Sequence, residues 1–381
     1  MKALKQVRCV LVLSMIGGLA YGPHATAQMP SPIRLSPGTS GPAFIRVEAV
    51  RELQDGRTLV IDWRERALMI IDWKSPEPKT LGRTGDGPGE YQYPGSLIPL
   101  KRDSTLITDR QNGKWYVMHR DRIVTTLTAD RPLVRFVGVD LSADTMGRLL
   151  VLHGTHFSYR GGARGGPNSY RRSDSAAVIL VHRDREKPDT VARIRGPYRG
   201  TNVVRARVDG MNIAYVLDNP LGAGDQAVLF PHGWIAIAFV APYRVEWHAP
   251  GGSVVRGQPL PHSPQRVDDR VKQQAIDDRW AGPGSRAPKF ALTDFPAWPD
   301  VVPPFLDNAL LSLPDGRLAI RRASFGADRS VNYDIIDRRG MLSGALRLRS
   351  NERIMAFGDK FVYVVAIGAD ELETLRRHPW P

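Results

Sequence analysis

The chain has 381 residues, 42% hydrophobic and 24% charged, with 36 glycines, 30 prolines and a formal charge of +14. This balance excludes a disordered chain and a bundle of membrane helices, and a single cysteine, Cys9, excludes a disulfide framework, a cysteine-ligated zinc site and a cysteine redox centre. The length allows two or three ordinary domains or one large repeat domain.

Residues 1–27 read as a secretory signal peptide. Lys2, Lys5 and Arg8 precede an apolar run from Val10 to Ala20, and Ala25-Thr26-Ala27 supplies small residues where a signal peptidase cuts. The run is too short to span a bilayer, which needs about 20 residues. Cleavage after Ala27 leaves 354 residues without cysteine. The expectation is an exported protein, periplasmic or extracellular, and not an integral membrane protein.

From residue 43 onward, short β-type runs alternate with tight turns. Val47–Val50, the Asp55-Gly56-Arg57 turn, Thr58–Asp62 and Ala67–Asp72 make the first meander. The order recurs at Arg102-Asp103-Ser104 with Thr105–Thr108 and Trp115–His119. It recurs at Met146-Gly147-Arg148 with Leu149–Leu152, and at Pro231-His232-Gly233 with Trp234–Phe239 and Arg244–Trp247. Pro314-Asp315-Gly316-Arg317 leads into Leu318–Arg321 and Tyr333–Ile336, and Gly358-Asp359-Lys360 into Phe361–Ala366.

Spacing sets the architecture. Asp55 to Asp103 is 48 residues, Asp103 to Gly147 is 44, and Gly316 to Asp359 is 43. Periods of about 40–50 residues with four short strands per unit mark a β-propeller. The fold expected is all-β, a six-bladed β-propeller with one short inserted helix, seven or eight blades being the alternative. Two gaps are double, Gly147 to Gly233 and Gly233 to Gly316, and they read as insertions near 156–176, 196–226 and 257–308 within a single domain spanning 43–381. In the last insertion a helix is expected over Pro264–Trp280, opened by Ser263-Pro264 and stopped by Gly282-Pro283. Ala43–Val47 is expected to close the ring as a strand added to the last blade, Ile354–Leu375.

Positive charge is concentrated in one stretch. Residues 160–209 hold twelve Arg or Lys against five Asp or Glu. Either this is a solvated loop, as the general preference for Arg over Lys suggests, or it meets an anionic partner.

The chemistry-bearing residues are few. Gly85-x-Gly87-x-Gly89 lacks the following helix and the Gly-Lys-Ser/Thr of a phosphate loop. His153 and His156 have no acid or cysteine grouped with them, and no Gly-x-Ser-x-Gly elbow occurs. Asp62, Glu90 and Asp109 are candidate oxygen ligands for a cation. Asp62 and Asp109, however, hold the same place in successive repeats, as turn-fixing carboxylates do. In a propeller the inter-blade loops and the loops after each second strand share one rim. That rim collects Asp62, Arg64, Arg83, Glu90, Asp109, Arg110, His153, Arg321 and Arg322. The binding residues expected are Arg64, Arg83, Glu90, Asp109, Arg110, His153, Arg321 and Arg322; no catalytic residue, metal or cofactor is assigned.

Leu81-Gly82-Arg83-Thr84-Gly85-Asp86-Gly87-Pro88-Gly89-Glu90-Tyr91 resembles the glycine-rich loop, ending in Pro-Gly-Glu-aromatic, of exported bacterial six-bladed propellers of the NHL-repeat-like and TolB-like type. Tyr243–Trp247 and Tyr333–Asp337 are similar to strands of that family. The resemblance covers about residues 43–375 and implies the propeller fold but little chemistry, since most such proteins have no assigned activity. The expected function is a non-enzymatic binding or scaffold module of the cell envelope. It would act as a monomer whose rim meets an envelope protein or an anionic glycan or lipid head group. Nucleic acid is not expected, because the protein is exported and has no base-stacking motif. The alternative is a metal-dependent envelope hydrolase or lactonase.

Overall fold

The computed structural model describes residues 32–380 except 88, 110, 112, 128–140, 154–157, 161–168, 172–174, 183–186, 197–200, 282–286 and 296. Residues 1–27, read as a signal peptide, and most of the insertion near 156–176 therefore lie outside the described residues. What is described is nearly all β, with one α-helix.

Among the described residues, six larger sheets follow one another in chain order, each built around antiparallel strands arranged in the order they occur. The first holds Val47–Glu52, Thr58–Asp62, Ala67–Asp72 and Ser75–Leu81. The second holds Pro94–Pro99, Ser104–Asp109, Trp115–His119 and Arg122–Leu127. The third holds Leu141–Ala143, Leu149–His153, Ser175–Val181 and Asp189–Arg195. The fourth holds Gln226–Leu229, Ile235–Phe239, Arg244–His248 and Val254–Arg256. The fifth holds Leu310–Ser312, Leu318–Arg321, Val331–Ile336 and Leu342–Leu348. The sixth holds Glu352–Phe357, Phe361–Ile367 and Glu373–Pro379. The first strand of each sheet lies against the first strand of the next, and that of the sixth lies against that of the first. This is an arrangement of the β-propeller type.

Strand alternation supplies the core. Successive side chains on a strand point to opposite faces, so Leu59 and Ile61 pack toward the second sheet with Ile107 and Tyr116. Val60, between them, packs the other way with Tyr363, Val365 and Leu375 of the sixth sheet. The fourth sheet repeats the device. Ile235 and Ile237 face the third sheet, while Ala236 and Ala238 face Leu318, Ile320 and Ile336 of the fifth. Separate apolar clusters also fill the second–third and fifth–sixth interfaces.

Two N-terminal strands complete other sheets. Thr39–Phe44 pairs antiparallel with Glu373–Pro379, matching Thr39 with Arg377 and Phe44 with Glu373. The closing strand thus ends at Phe44, and Val47 already starts the first sheet. Pro32–Ile33 adds a fifth, parallel strand beside Ala345–Leu346, an addition the sequence does not signal.

Because neighbouring strands are antiparallel, connections alternate between the two ends of the sheets. Those after first strands are tight. Leu53 N–H donates to Arg57 O and Gly56 N–H to Leu53 O, and the pattern recurs at Leu313–Arg317 and Phe230–Trp234. Gly56, Gly233 and Gly316 take φ of +83°, +86° and +87° there, which a side chain would oppose. Asp55 and Asp315 each accept both the backbone N–H and the Nε–H of the arginine two residues on.

The long segments all fall at the other end. The double gaps hold no further four-stranded sheet among the described residues. The first carries the two-stranded pairs Ser158–Arg160 with Ser169–Arg171 and Thr201–Val208 with Met211–Asp218. The second carries the helix, which runs Asp269–Trp280 rather than from Pro264. Residues before it are extended instead: Val267 N–H donates to Asp300 O, Val302 N–H donates to Gln265 O, and Arg266 bridges Val301. Asp268 then caps the helix by accepting the Val271 N–H at 2.8 Å. The two insertions pack on each other, with Leu217 and Tyr215 of the hairpin against Ile276, Phe290 and Phe295.

Candidate functional site

The rim of long connections carries two clusters. The first is built by the first two sheets, and two buried carboxylates fix its shape. Asp62, at the end of a second strand, accepts backbone N–H groups of Ile45, Arg46, Arg64 and Glu65 at 2.8–3.3 Å. Asp109, in the same place one repeat later, accepts those of Gln92, Tyr93 and Gln111 at 2.7–3.1 Å, and the Tyr116 hydroxyl donates to it at 3.3 Å. Each is 1% exposed or less and ties its own turn to the strand-entry segment beside it. Lone pairs committed to amides in this way make poor cation ligands. Among the described residues no group of three His, Cys, Asp or Glu side chains is placed to hold a metal ion.

These turns raise an aromatic pair onto the rim. Trp63 and Tyr93 meet edge to face with centroids 5.5 Å apart. Arg64 lies over Trp63 at 5.2 Å and Arg66 over Tyr93 at 4.8 Å. Both arginines are exposed, so the patch presents guanidinium groups resting on rings.

The glycine-rich loop closes on its own acid. Glu90 accepts the Gly87 N–H at 2.8 Å, and Arg83 Nε–H donates to it at 2.5 Å. These donors hold its carboxyl below the usual range, the Gly87 N–H first and Arg83 second. A Cβ at Gly85 would fall 2.0 Å from a Glu90 oxygen, so glycine is needed there for close approach rather than for a phosphate. Tyr91, buried, anchors the loop by donating to Leu81 O at 2.9 Å and accepting the Leu68 N–H at 3.0 Å.

The second cluster joins the fourth and fifth sheets. The buried Tyr243 hydroxyl donates to Asp334 at 2.7 Å, and Arg322 reaches the same oxygen at 2.7 Å. Arg322 also donates to Pro304 O at 3.0 Å, meets His262 Nδ1 at 2.5 Å and lies 4.8 Å over the Tyr243 ring. Burial, and then the Arg322 charge, push the His262 imidazole below its ordinary value. Burial first, and the Asp334 charge second, push the Tyr243 phenol well above its own.

The expected residues thus fall into distinct settings. Arg64, Arg83, Glu90 and Asp109 belong to the first patch, with Asp109 beneath it rather than on it. Arg321 is exposed at the end of a second strand of the fifth sheet. Arg322 is engaged in the second cluster. His153 ends a strand of the third sheet, its side chain outside the described residues, as is Arg110. Sequence reading passed over Trp63, Arg66 and Tyr93, although Trp63 directly follows the repeated turn aspartate. Tyr243, Asp334 and His262 left no local signal, because they converge from segments up to 91 residues apart.

No protein family's profile matches the chain, and no curated protein matches it. Among solved structures it is similar to a member of the DUF4221 family from Bacteroides vulgatus, at 7% identity and a TM-score of 0.47, covering 91% of this chain and 97% of that one. Virginiamycin B lyase from Staphylococcus aureus aligns at 8% identity and a TM-score of 0.40, covering 92% and 98%. The calcium-binding protein regucalcin from Agrobacterium tumefaciens aligns at 9% identity and a TM-score of 0.35, covering 91% and 96%.

Proposed function

We propose that the protein is an exported, non-enzymatic six-bladed β-propeller of one domain, in which the strands from Pro32 onward join the span 43–381, and that it binds an envelope partner or anionic ligand through one rim. The reading of six blades is supported by the cyclic contacts of the six first strands and by the apolar cluster between the sixth sheet and the first. Export rests on the composition of residues 1–27; no helix of the described residues is long and apolar enough to cross a membrane.

One observation carries the binding reading. Every long connection and both large insertions leave the sheets at the same end, while the opposite end has self-capped turns. Loops on a rigid scaffold are where recognition is placed. On that end Arg64 and Arg66 rest on aromatic rings, an arrangement suited to a flat or anionic group.

The test is capture of partners from an envelope extract by the mature protein, compared with an Arg64→Ala/Arg83→Ala/Arg321→Ala variant. Reduced recovery by the folded variant is expected. Unaltered recovery overturns the rim assignment.

A further inference from the structure

The fifth sheet presents a groove on the same rim, away from the aromatic patch. Residues 327–330, from the connection after its second strand, and residues 347–350, at the exit of its fourth strand, line a shallow, open depression of about 640 Å3.

The lining is rich in donors. Arg329, Arg347, Arg349, Ser330 and Ser350 face one carboxylate, Asp328. The sheet fixes how the arginines are presented. Arg347 lies in the fourth strand and Arg349 directly follows its last residue, both exposed on either side of Leu348 in sequence. Leu348 between them turns into the core. Val331 pairs with Leu348 and Asn332 with Arg347, which sets Ser330 across from Arg349.

The groove's charges are only partly matched. Arg347 pairs with Asp328 at 2.8 Å, and Arg329 pairs with Asp278 of the helix at 2.7 Å. Among the described residues no acid meets the Arg349 guanidinium; its backbone N–H donates to Glu352 at 3.2 Å. Asp328 also accepts the Ser330 N–H at 3.0 Å.

We propose that this groove binds a phosphate group, with Arg347 and Arg349 gripping the oxyanion from two sides. Asp328 stands in as the counter-ion of Arg347 until the ligand displaces it. Two guanidinium forks and two hydroxyls offer donors in three dimensions. A tetrahedral phosphate uses them more fully than a planar carboxylate does. The inference rests on reading this rim as the binding face and adds the ligand chemistry and a second location.

The experiment is titration calorimetry of the mature protein, in phosphate-free buffer at low salt, with inorganic phosphate, glucose 6-phosphate and glucuronate. Vesicles containing phosphatidic acid are assayed in parallel by sedimentation. At least one phosphate probe is expected to bind, more weakly as salt rises. Arg349→Ala and Arg347→Ala each weaken binding at least tenfold, Asp328→Asn strengthens it several-fold, and Arg57→Ala, in a turn at the opposite end, leaves it unchanged. Binding by the soluble probes identifies a free phosphoester, and binding by vesicles alone identifies a lipid head group; either supports the site. No binding by any phosphate probe overturns the proposal, as does glucuronate binding as tightly as glucose 6-phosphate. So does binding unchanged in the Arg347→Ala/Arg349→Ala variant. Arg349→Ala breaks no described ion pair, so it keeps the test valid should Arg347→Ala disturb the loop. Envelope capture that survives in Arg349→Ala separates failure of this groove from failure of the rim reading.

Discussion

The carboxylate of Glu373 accepts the backbone N–H of Val47 at 2.7 Å across 326 residues of chain. Arg353 completes the arrangement, donating to both Glu373 oxygens at 2.9 and 2.7 Å and to Val47 O at 3.0 Å. The first strand of the first sheet is thus held by one ion pair of the sixth. Glu373 is 4% exposed, so its removal leaves a guanidinium and an amide without their partner. Glu373→Ala is expected to cost about 3–5 kcal/mol, as when one member of a buried pair is lost. Glu373→Gln, which keeps an acceptor for Val47, should cost less. Denaturant unfolding of both variants measures the difference.

Deletions at the N-terminal end separate two kinds of strand addition. A chain beginning at residue 37 loses the parallel strand Pro32–Ile33 and the contacts of Ile33 and Leu35. It is expected to fold with a modest fall in melting temperature. A chain beginning at residue 46 also loses Thr39–Phe44, uncovering the edge of Glu373–Pro379 and removing buried Phe44. This deletion is expected to abolish a single cooperative transition. Melting curves that match for the two deletions would contradict this role for Thr39–Phe44.

Asp62 serves four amides, and its two oxygens do so unequally. Oδ1 takes Arg46, Arg64 and Glu65, while Oδ2 takes Ile45 at 2.8 Å. Asp62→Ala is expected to lose about 3 kcal/mol, since stranded buried donors cost about 1–3 kcal/mol each and the outer ones recover water. Asp62→Asn preserves one acceptor oxygen and should recover more than half. Thermal unfolding of the two variants reads the comparison directly.

The Tyr243–Asp334–Arg322–His262 cluster makes stability depend on pH in a stated direction. Burial and Arg322 keep His262 below the ordinary imidazole value of 6.5, and burial does the same for His232 and His248. The unfolded chain then takes up protons first as pH falls. Stability from these groups is full above about pH 6.5 and declines below it, until the folded histidines also titrate. His262→Gln is expected to flatten that decline between roughly pH 6.5 and 5, read as melting temperature against pH. At neutral pH, Tyr243→Phe should cost about 2 kcal/mol, the worth of a hydrogen bond to a charged group.

The strands and far-end turns were legible because they are local. An Asp-Gly-Arg turn caps itself with its own arginine, and a run such as Thr58-Leu59-Val60-Ile61-Asp62 declares both of its buried faces. The turn-fixing role of Asp62 and Asp109 was legible from repetition alone. The helix start was not: Ser263-Pro264 has the local form of a helix start, but residues 265–267 pair with 300–302, which no neighbouring residue announces. The parallel strand Pro32–Ile33 and the convergence of Arg322 with His262 are equally non-local. The arginine surplus at 160–209 directed attention to a stretch that the described residues cover only in part, while Arg329, Arg347 and Arg349 meet only through the pairing of two strands of the fifth sheet.

Closure by Thr39–Phe44 also constrains the order of events during synthesis. This strand emerges early, yet Arg377, which pairs with Thr39, is made 338 residues later. Until then the first-made edge has no partner, and the last sheet lacks its outer strand. Such long-range pairing folds slowly. Two chains that meet in this interval can each complete the other's last sheet, so crowded refolding should yield a strand-exchanged dimer alongside the monomer.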